Sequence, residues 1–168
     1  MRPVSLAAGL LLCAAPAWAA DPPSVAVFDM ELVNTSGAAD TPEEVARLGA
    51  LSGQLREALA KPDRYTVVDT APVRDRVARG PSLRTCNTCT IDAARTLGAD
   101  LAAHAWVQKV SNLILNVNLS VEDVATGRQV YGGSVDIRGN TDESWRRGMK
   151  YLIEEQMFRN GTRPGPKP

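Results

Sequence analysis

The stretch from Leu113 to Asp123 constrains this chain more than any other segment, because Leu113, Leu115, Val117, Leu119 and Val121 alternate with Ile114, Asn116, Asn118, Ser120 and Glu122. A period of two marks a strand with one buried face, since successive side chains point to opposite sides of a sheet. Its backbone needs hydrogen-bonding neighbours, and both are legible. The strand-like run Ala99 to Val110 precedes it, and Ala125-Thr126-Gly127 turns the chain into a further strand from Gln129 to Arg138 that Gly139 ends. The second half is therefore expected to be an antiparallel three-strand meander.

The first half reads differently. Ser24 to Val33 follows the Pro22-Pro23 breaker and is dense in large apolar residues, as a buried strand should be. Thr41-Pro42-Glu43-Glu44 then places an N-cap, a proline at the first helical position and a capping-box glutamate in succession. Val45, Leu48, Leu51 or Ser52, Leu55 and Leu59 follow at spacings of three and four, one stripe of an amphipathic helix that Lys61-Pro62-Asp63 stops. Tyr65 to Asp69 is a second strand, and strand, helix, strand in this order predicts a crossover with parallel pairing. A short helical piece lies around Pro72 to Ala78, and a helix from about Thr90 ends at Gly98. Asn140, with Glu143 three residues on, caps a final helix that gathers Trp145, Met149, Leu152, Ile153 and Met157 on one face, with Arg146, Arg147 and Lys150 on the other. The expected fold is α/β (α+β-like) and single-domain: a strand-helix-strand crossover half, the three-strand meander and a C-terminal helix.

Composition excludes several functions. The 19 Lys+Arg against 19 Asp+Glu leave no basic footprint for nucleic acid. One histidine and three cysteines leave little material for a multi-ligand zinc site or a histidine-based triad. At the N-terminus, Arg2, the apolar run Val4 to Ala15 and Ala17-Trp18-Ala19 form the pattern of a cleavable export signal over residues 1–20. The run is about a dozen residues, short of the roughly 20 that span a bilayer. Leu12 stands before Cys13 where a lipidation signal wants a small residue, so lipid attachment is rejected. A periplasmic domain over 21–158 and a disordered tail over 159–168 are expected, with no transmembrane segment in the mature protein.

This order of elements resembles the N-terminal domain of TolB and the related CsgG-like envelope proteins. The resemblance rests on Val25-Ala-Val-Phe-Asp29, on Tyr65-Thr-Val-Val-Asp69 after a long amphipathic helix, and on Leu97-Gly-Ala-Asp100 leading into the meander. Trp106-Val-Gln-Lys-Val-Ser-Asn112 and Asp136-Ile-Arg-Gly-Asn-Thr-Asp-Glu-Ser-Trp-Arg146 are similar to a family of bacterial periplasmic proteins carried as a domain of unknown function. That family implies no activity. The likeness to TolB implies an envelope assembly or interaction role, although the TolB propeller and the CsgG pore segments have no counterpart here.

Among candidate sites, Cys86-Asn87-Thr88-Cys89 in an exported chain is expected to be a disulfide, worth about 2 kcal/mol for its short loop. A cysteine at a helix start has a lowered pKa, so thiol-disulfide exchange stays open as an alternative, without the thioredoxin order of elements. One CxxC lacks a second ligand pair for a metal, and no histidine follows it for haem. Asp29, Glu31 and Asp69 near strand ends leave a small-ligand or cation sensor open as a further alternative, although such acids are commoner as caps. His104, in a predicted strand without an acid or nucleophile beside it, reads as structural, and Trp106 and Trp145 read as packed. Asparagine is disfavoured in strands. Lys109, Asn112, Asn116, Asn118, Asn140, Asp142 and Arg146 are thus the candidate interaction surface. The expectation is a non-enzymatic interaction or accessory protein of the bacterial envelope with a periplasmic protein partner, no cofactor and no metal.

Overall fold

The computed structural model describes residues 21–159 together with 164 and 165. The expected export signal and all of the expected tail except Arg159, Pro164 and Gly165 lie outside the described residues. Strand β1 (Ser24–Val27) stops at Val27, and the chain resumes as β2 (Glu31–Asn34), so the single strand expected from Ser24 to Val33 is two. Helix α1 (Pro42–Leu59) explains the break. Its Arg56 guanidinium donates to the Val27 carbonyl at 3.2 Å and to the Asp29 carboxylate at 2.5 Å, and its Ser52 hydroxyl accepts from the Met30 amide at 3.0 Å. Side chains of a helix thus satisfy backbone groups that a continuous strand would have paired in the sheet.

The capping box of α1 forms as expected: Thr41 Oγ1 accepts from the Glu44 amide at 3.3 Å and the Glu44 carboxylate accepts from the Thr41 amide at 2.9 Å. Because Glu44 takes the inward position of the first turn, its neighbour Val45, expected on the apolar stripe, is 61% exposed. Ala46, Gly49 and Ala50 are exposed, and Gly53 is half-buried beside them. A Cβ added at Gly49 or Gly53 would meet nothing within 4 Å. Packing within the chain therefore does not require either glycine, and each costs the helix about 1 kcal/mol relative to alanine.

Strand β3 (Thr66–Val68) returns parallel to β1, completing the crossover. A 3₁₀ turn (Ala71–Val73) leads into α2 (Arg74–Arg79), and α3 (Cys89–Thr96) ends through Gly98, whose φ of 68° is the left-handed conformation a helix stop favours. Strands β4 (Leu101–Lys109), β5 (Ile114–Asp123) and β6 (Gln129–Arg138) form the antiparallel meander. The sheet order is β3-β1-β4-β5-β6, with β2 also parallel to β4, so β4 joins the parallel half to the antiparallel half. Helix α4 (Asp142–Tyr151) runs on into a π-helical turn, Leu152–Met157. Its N-cap is Thr141, whose hydroxyl accepts from the Ser144 amide at 3.2 Å, rather than the expected Asn140. Asn140 has other partners, described below.

Two cores sandwich the sheet. Val25, Val27, Leu55, Leu115, Val117, Trp145 and Met149 meet on the α1/α4 side, and Ala26, Phe28, Leu83, Ala94 and Ala102 on the α2/α3 side. The expected wet face of β5 is only partly wet. Asn118 and Ser120 are 9% and 4% exposed, with Ser120 accepting a hydrogen bond from Gln129 at 2.8 Å.

Candidate functional site

Two segments distant in sequence, the end of β4 and the entry to α4, converge on the first turn of α1. Lys109 Nζ lies 2.5 Å from Glu44 Oε1, and both side chains are buried, with relative exposures of 2% and 0%. Asn140 Nδ2 donates to the same Glu44 oxygen at 2.6 Å, while Asn140 Oδ1 accepts from Trp145 Nε1 at 3.0 Å and from Arg47 at 3.2 Å. Arg47 continues to Asp142 at 2.5 Å, and the Asn140 amide and side chain reach Asn112 at 2.9 and 3.3 Å. Burial opposes ionisation of Glu44, but hydrogen bonds from Lys109, the Thr41 amide and Asn140, together with the Lys109 charge, outweigh it and hold the carboxyl below its ordinary value.

This arrangement corrects the expected surface. Lys109 is not available to a partner; it neutralises a buried carboxylate. Asn140, expected both as cap and as contact residue, is the hub that joins β4, α1 and α4. Its Trp145 partner is wholly buried, so the indole N–H is satisfied where the ring packs. Glu44 is the member that sequence reasoning missed, since its capping role already accounted for it.

Above this network the β4–β5 turn is apolar and exposed: Val110 is 48%, Leu113 72% and Ile114 44% exposed, around an exposed Asn112. Asn116 lies further down the sheet, where it donates to Asp136 at 2.7 Å and accepts from Ser134 at 2.8 Å. Asn118 donates back to the Asn116 carbonyl at 3.3 Å. On the same face His104 stacks on Trp106 with ring centroids 5.5 Å apart. His104 is 7% exposed and its Nδ1 has no partner among the described residues. Burial pushes its imidazole below the ordinary value against the weaker pull of Glu31, which favours the neutral ring. Arg146 belongs elsewhere, in a groove of about 960 Å³ between α1 and α4, where its carbonyl accepts from Gln54 at 3.1 Å. The seven candidate residues thus fall into a buried hub, an exposed turn, a sheet face and a helical groove.

The other candidate chemistries are occupied. Cys86 and Cys89 are joined as a disulfide with Cα atoms 5.5 Å apart, and the helix begins at the second of them. Asp29 pairs with Arg56. Glu31 accepts from the Ser82 hydroxyl at 2.8 Å and from the amides of Leu83 and Arg84 at 2.9 and 3.3 Å, and Asp69 accepts from the Ala71 amide at 2.9 Å. Asp29 and Glu31 also line a cavity of about 370 Å³ beneath α2. No group of three or more histidine, cysteine or carboxylate side chains able to hold a metal occurs among the described residues. No helix among them is long and apolar enough to cross a membrane.

Residues 23–157 match the model of the DUF3280 family, described as "Protein of unknown function (DUF2380)". No curated protein matches the sequence. Among solved structures, the LpoB C-terminal domain from Salmonella enterica is similar at 17% identity with a TM-score of 0.51, covering 71% of this chain and 85% of that one. Lipoprotein GNA1162 from Neisseria meningitidis is similar at 18% identity and a TM-score of 0.49, covering 84% of this chain and 100% of that one. TolB from Acinetobacter baumannii is similar at 11% identity and a TM-score of 0.45, covering 81% of this chain and 28% of that one. The likeness to the LpoB domain concerns the fold.

Proposed function

The chain belongs to the DUF3280 family of proteins of unknown function, and on that footing we propose that it is a non-enzymatic interaction or accessory protein of the bacterial envelope. In this reading residues 1–20 are a cleavable export signal, the mature protein is periplasmic, and its partner is a periplasmic protein. One observation carries the contact surface: the β4–β5 turn exposes Val110, Leu113 and Ile114 together, at the end of the sheet where a buried network clamps the strand behind them. Clustered exposed aliphatic side chains on a rigid support suit a docking tip. Asn112, beside them, supplies polar groups at the rim.

A photo-crosslinking residue at Leu113, introduced in growing cells, tests the reading against the same residue at Arg79, which is exposed on α2. Discrete adducts at position 113, absent at 79 and lost when Val110 and Ile114 become aspartate, are expected. Equal labelling at both positions, or none at 113, overturns it. Intact mass of the exported protein checks the compartment, with the mature chain expected to begin at Ala20 or Asp21.

A further inference from the structure

We propose that the cavity beneath α2 binds a small aliphatic amino acid in its zwitterionic form. Two side chains of opposite charge, Asp29 and Arg74, line this space of about 370 Å³ without pairing with each other. Asp29 gives one carboxylate oxygen to Arg56 and keeps the other without a hydrogen bond among the described residues, whereas the exposed Arg74 makes no ion pair or side-chain hydrogen bond among them. A guanidinium takes a carboxylate and a carboxylate takes an ammonium, so a ligand carrying both groups complements the wall. Thr70 stands on the same wall. It is 8% exposed, and although it is the N-cap of the 3₁₀ turn, its hydroxyl makes no capping bond and no other hydrogen bond among the described residues. A threonine at a cap ordinarily uses its oxygen on the turn, and a buried hydroxyl ordinarily has a partner, so this one is left for an occupant of the cavity.

Position and packing agree with that occupant. Phe28 and Asp29 follow β1 and Thr70 follows β3, so the cavity lies outside the carboxyl ends of parallel strands, beside the point where the order β3-β1-β4 switches direction and where open sheets take their ligands. Helix α2 closes the cavity without filling it. None of its residues is buried, and half-buried Val77 lines both this cavity and a second of about 260 Å³. Phe28, Met30, Val77 and Leu83 supply an apolar lining for an aliphatic side chain. Glu31 is held by Ser82, Leu83 and Arg84, so a phosphate or dicarboxylate would set a second negative charge against it with no second cation to meet. At roughly 30 Å³ per water-sized group, the volume holds about a dozen non-hydrogen atoms, enough for leucine. None of the lining residues belongs to the β4–β5 turn, so the site is separate from the docking tip.

Titration calorimetry of the exported protein with leucine, methionine and valine tests the proposal. At least one should bind with a Kd below about 1 mM. Its deaminated and decarboxylated analogues, which for leucine are 4-methylpentanoate and 3-methylbutylamine, should each bind at least about tenfold more weakly, because each leaves one charge of the wall unmet. Arg74→Gln at the surface and the isosteric Thr70→Val should each weaken binding of the amino acid by at least about the same factor. Thermal melts of the unliganded chains, expected to match wild type, confirm that both variants fold. Hydrogen exchange with the amino acid bound should slow over residues 74–80 and stay unchanged over residues 110–114. Binding by none of the three at that affinity, an analogue or a folded variant that loses less than that factor, or protection elsewhere than α2 overturns the proposal.

Discussion

Glu44 closes the capping box of α1 and, with the same carboxylate, neutralises Lys109. Removing one partner from a buried ion pair leaves an uncompensated charge, so Lys109→Met should cost about 3–5 kcal/mol in a urea titration. A Glu44→Gln, Lys109→Met double variant leaves no such charge and should recover more than half of that loss. Nearer the surface, hydrogen bonds from Arg64 and Lys61, with their charges, hold Glu154 down to about 2, against an ordinary value of 4.5, with burial opposing them. A carboxyl with a depressed folded-state pKa stabilises the fold above its unfolded value and loses that contribution as pH falls through the folded one. Stability from Glu154 should therefore be complete above about pH 4.5 and lost progressively towards pH 2, amounting to about 1 kcal/mol once solvent screening is allowed for. Denaturation midpoints of wild type and Glu154→Gln should converge over that range, and parallel curves would assign the acid sensitivity to other groups.

Helix α4 and helix α1 make opposite predictions about substitution. The α4 stripe is core: Trp145 and Met149 are 0% exposed, so Trp145→Ala should cost about 3–5 kcal/mol, while Arg147→Ala on the outer face, paired only with exposed Glu143, should stay within about 0.5 kcal/mol. On α1 the outer glycines are local liabilities. Gly49→Ala should stabilise the fold by about 1 kcal/mol in a urea titration. A destabilising result there would mean that Gly49 answers to a contact within the chain after all.

Across the whole molecule, the disulfide and Glu31 hold down the loop that precedes α3, and Leu83 of that loop seals the second core. A Cys86→Ser, Cys89→Ser chain should fold, lose about 2 kcal/mol and keep the hairpin-tip crosslinks. Its wild-type bond should have a potential below about −300 mV in redox buffers, whereas an exchanger would fall between roughly −120 and −270 mV and reduce model disulfides. Such turnover would replace the accessory reading with a redox one. It would leave the crosslinking outcome to be judged separately.

Short-range order was legible. The Thr41–Glu44 box, the left-handed Gly98 and the β5 alternation each depend on residues within a turn or a strand of one another, so the elements follow from local chemistry. The crossover and the meander follow as well, because short connections leave few topologies. Tertiary structure alone decided where polar side chains spend their hydrogen bonds. Nothing near Lys109 in sequence announces that its charge is buried against Glu44, and nothing near Asn140 shows that it abandons the cap for Glu44 and Trp145. Arg56 and Ser52 likewise interrupt a strand that its own residues favour. The candidate surface divided for that reason: a polar residue satisfied by a partner far along the chain has the same local pattern as one facing water, and only the packed fold sets its environment.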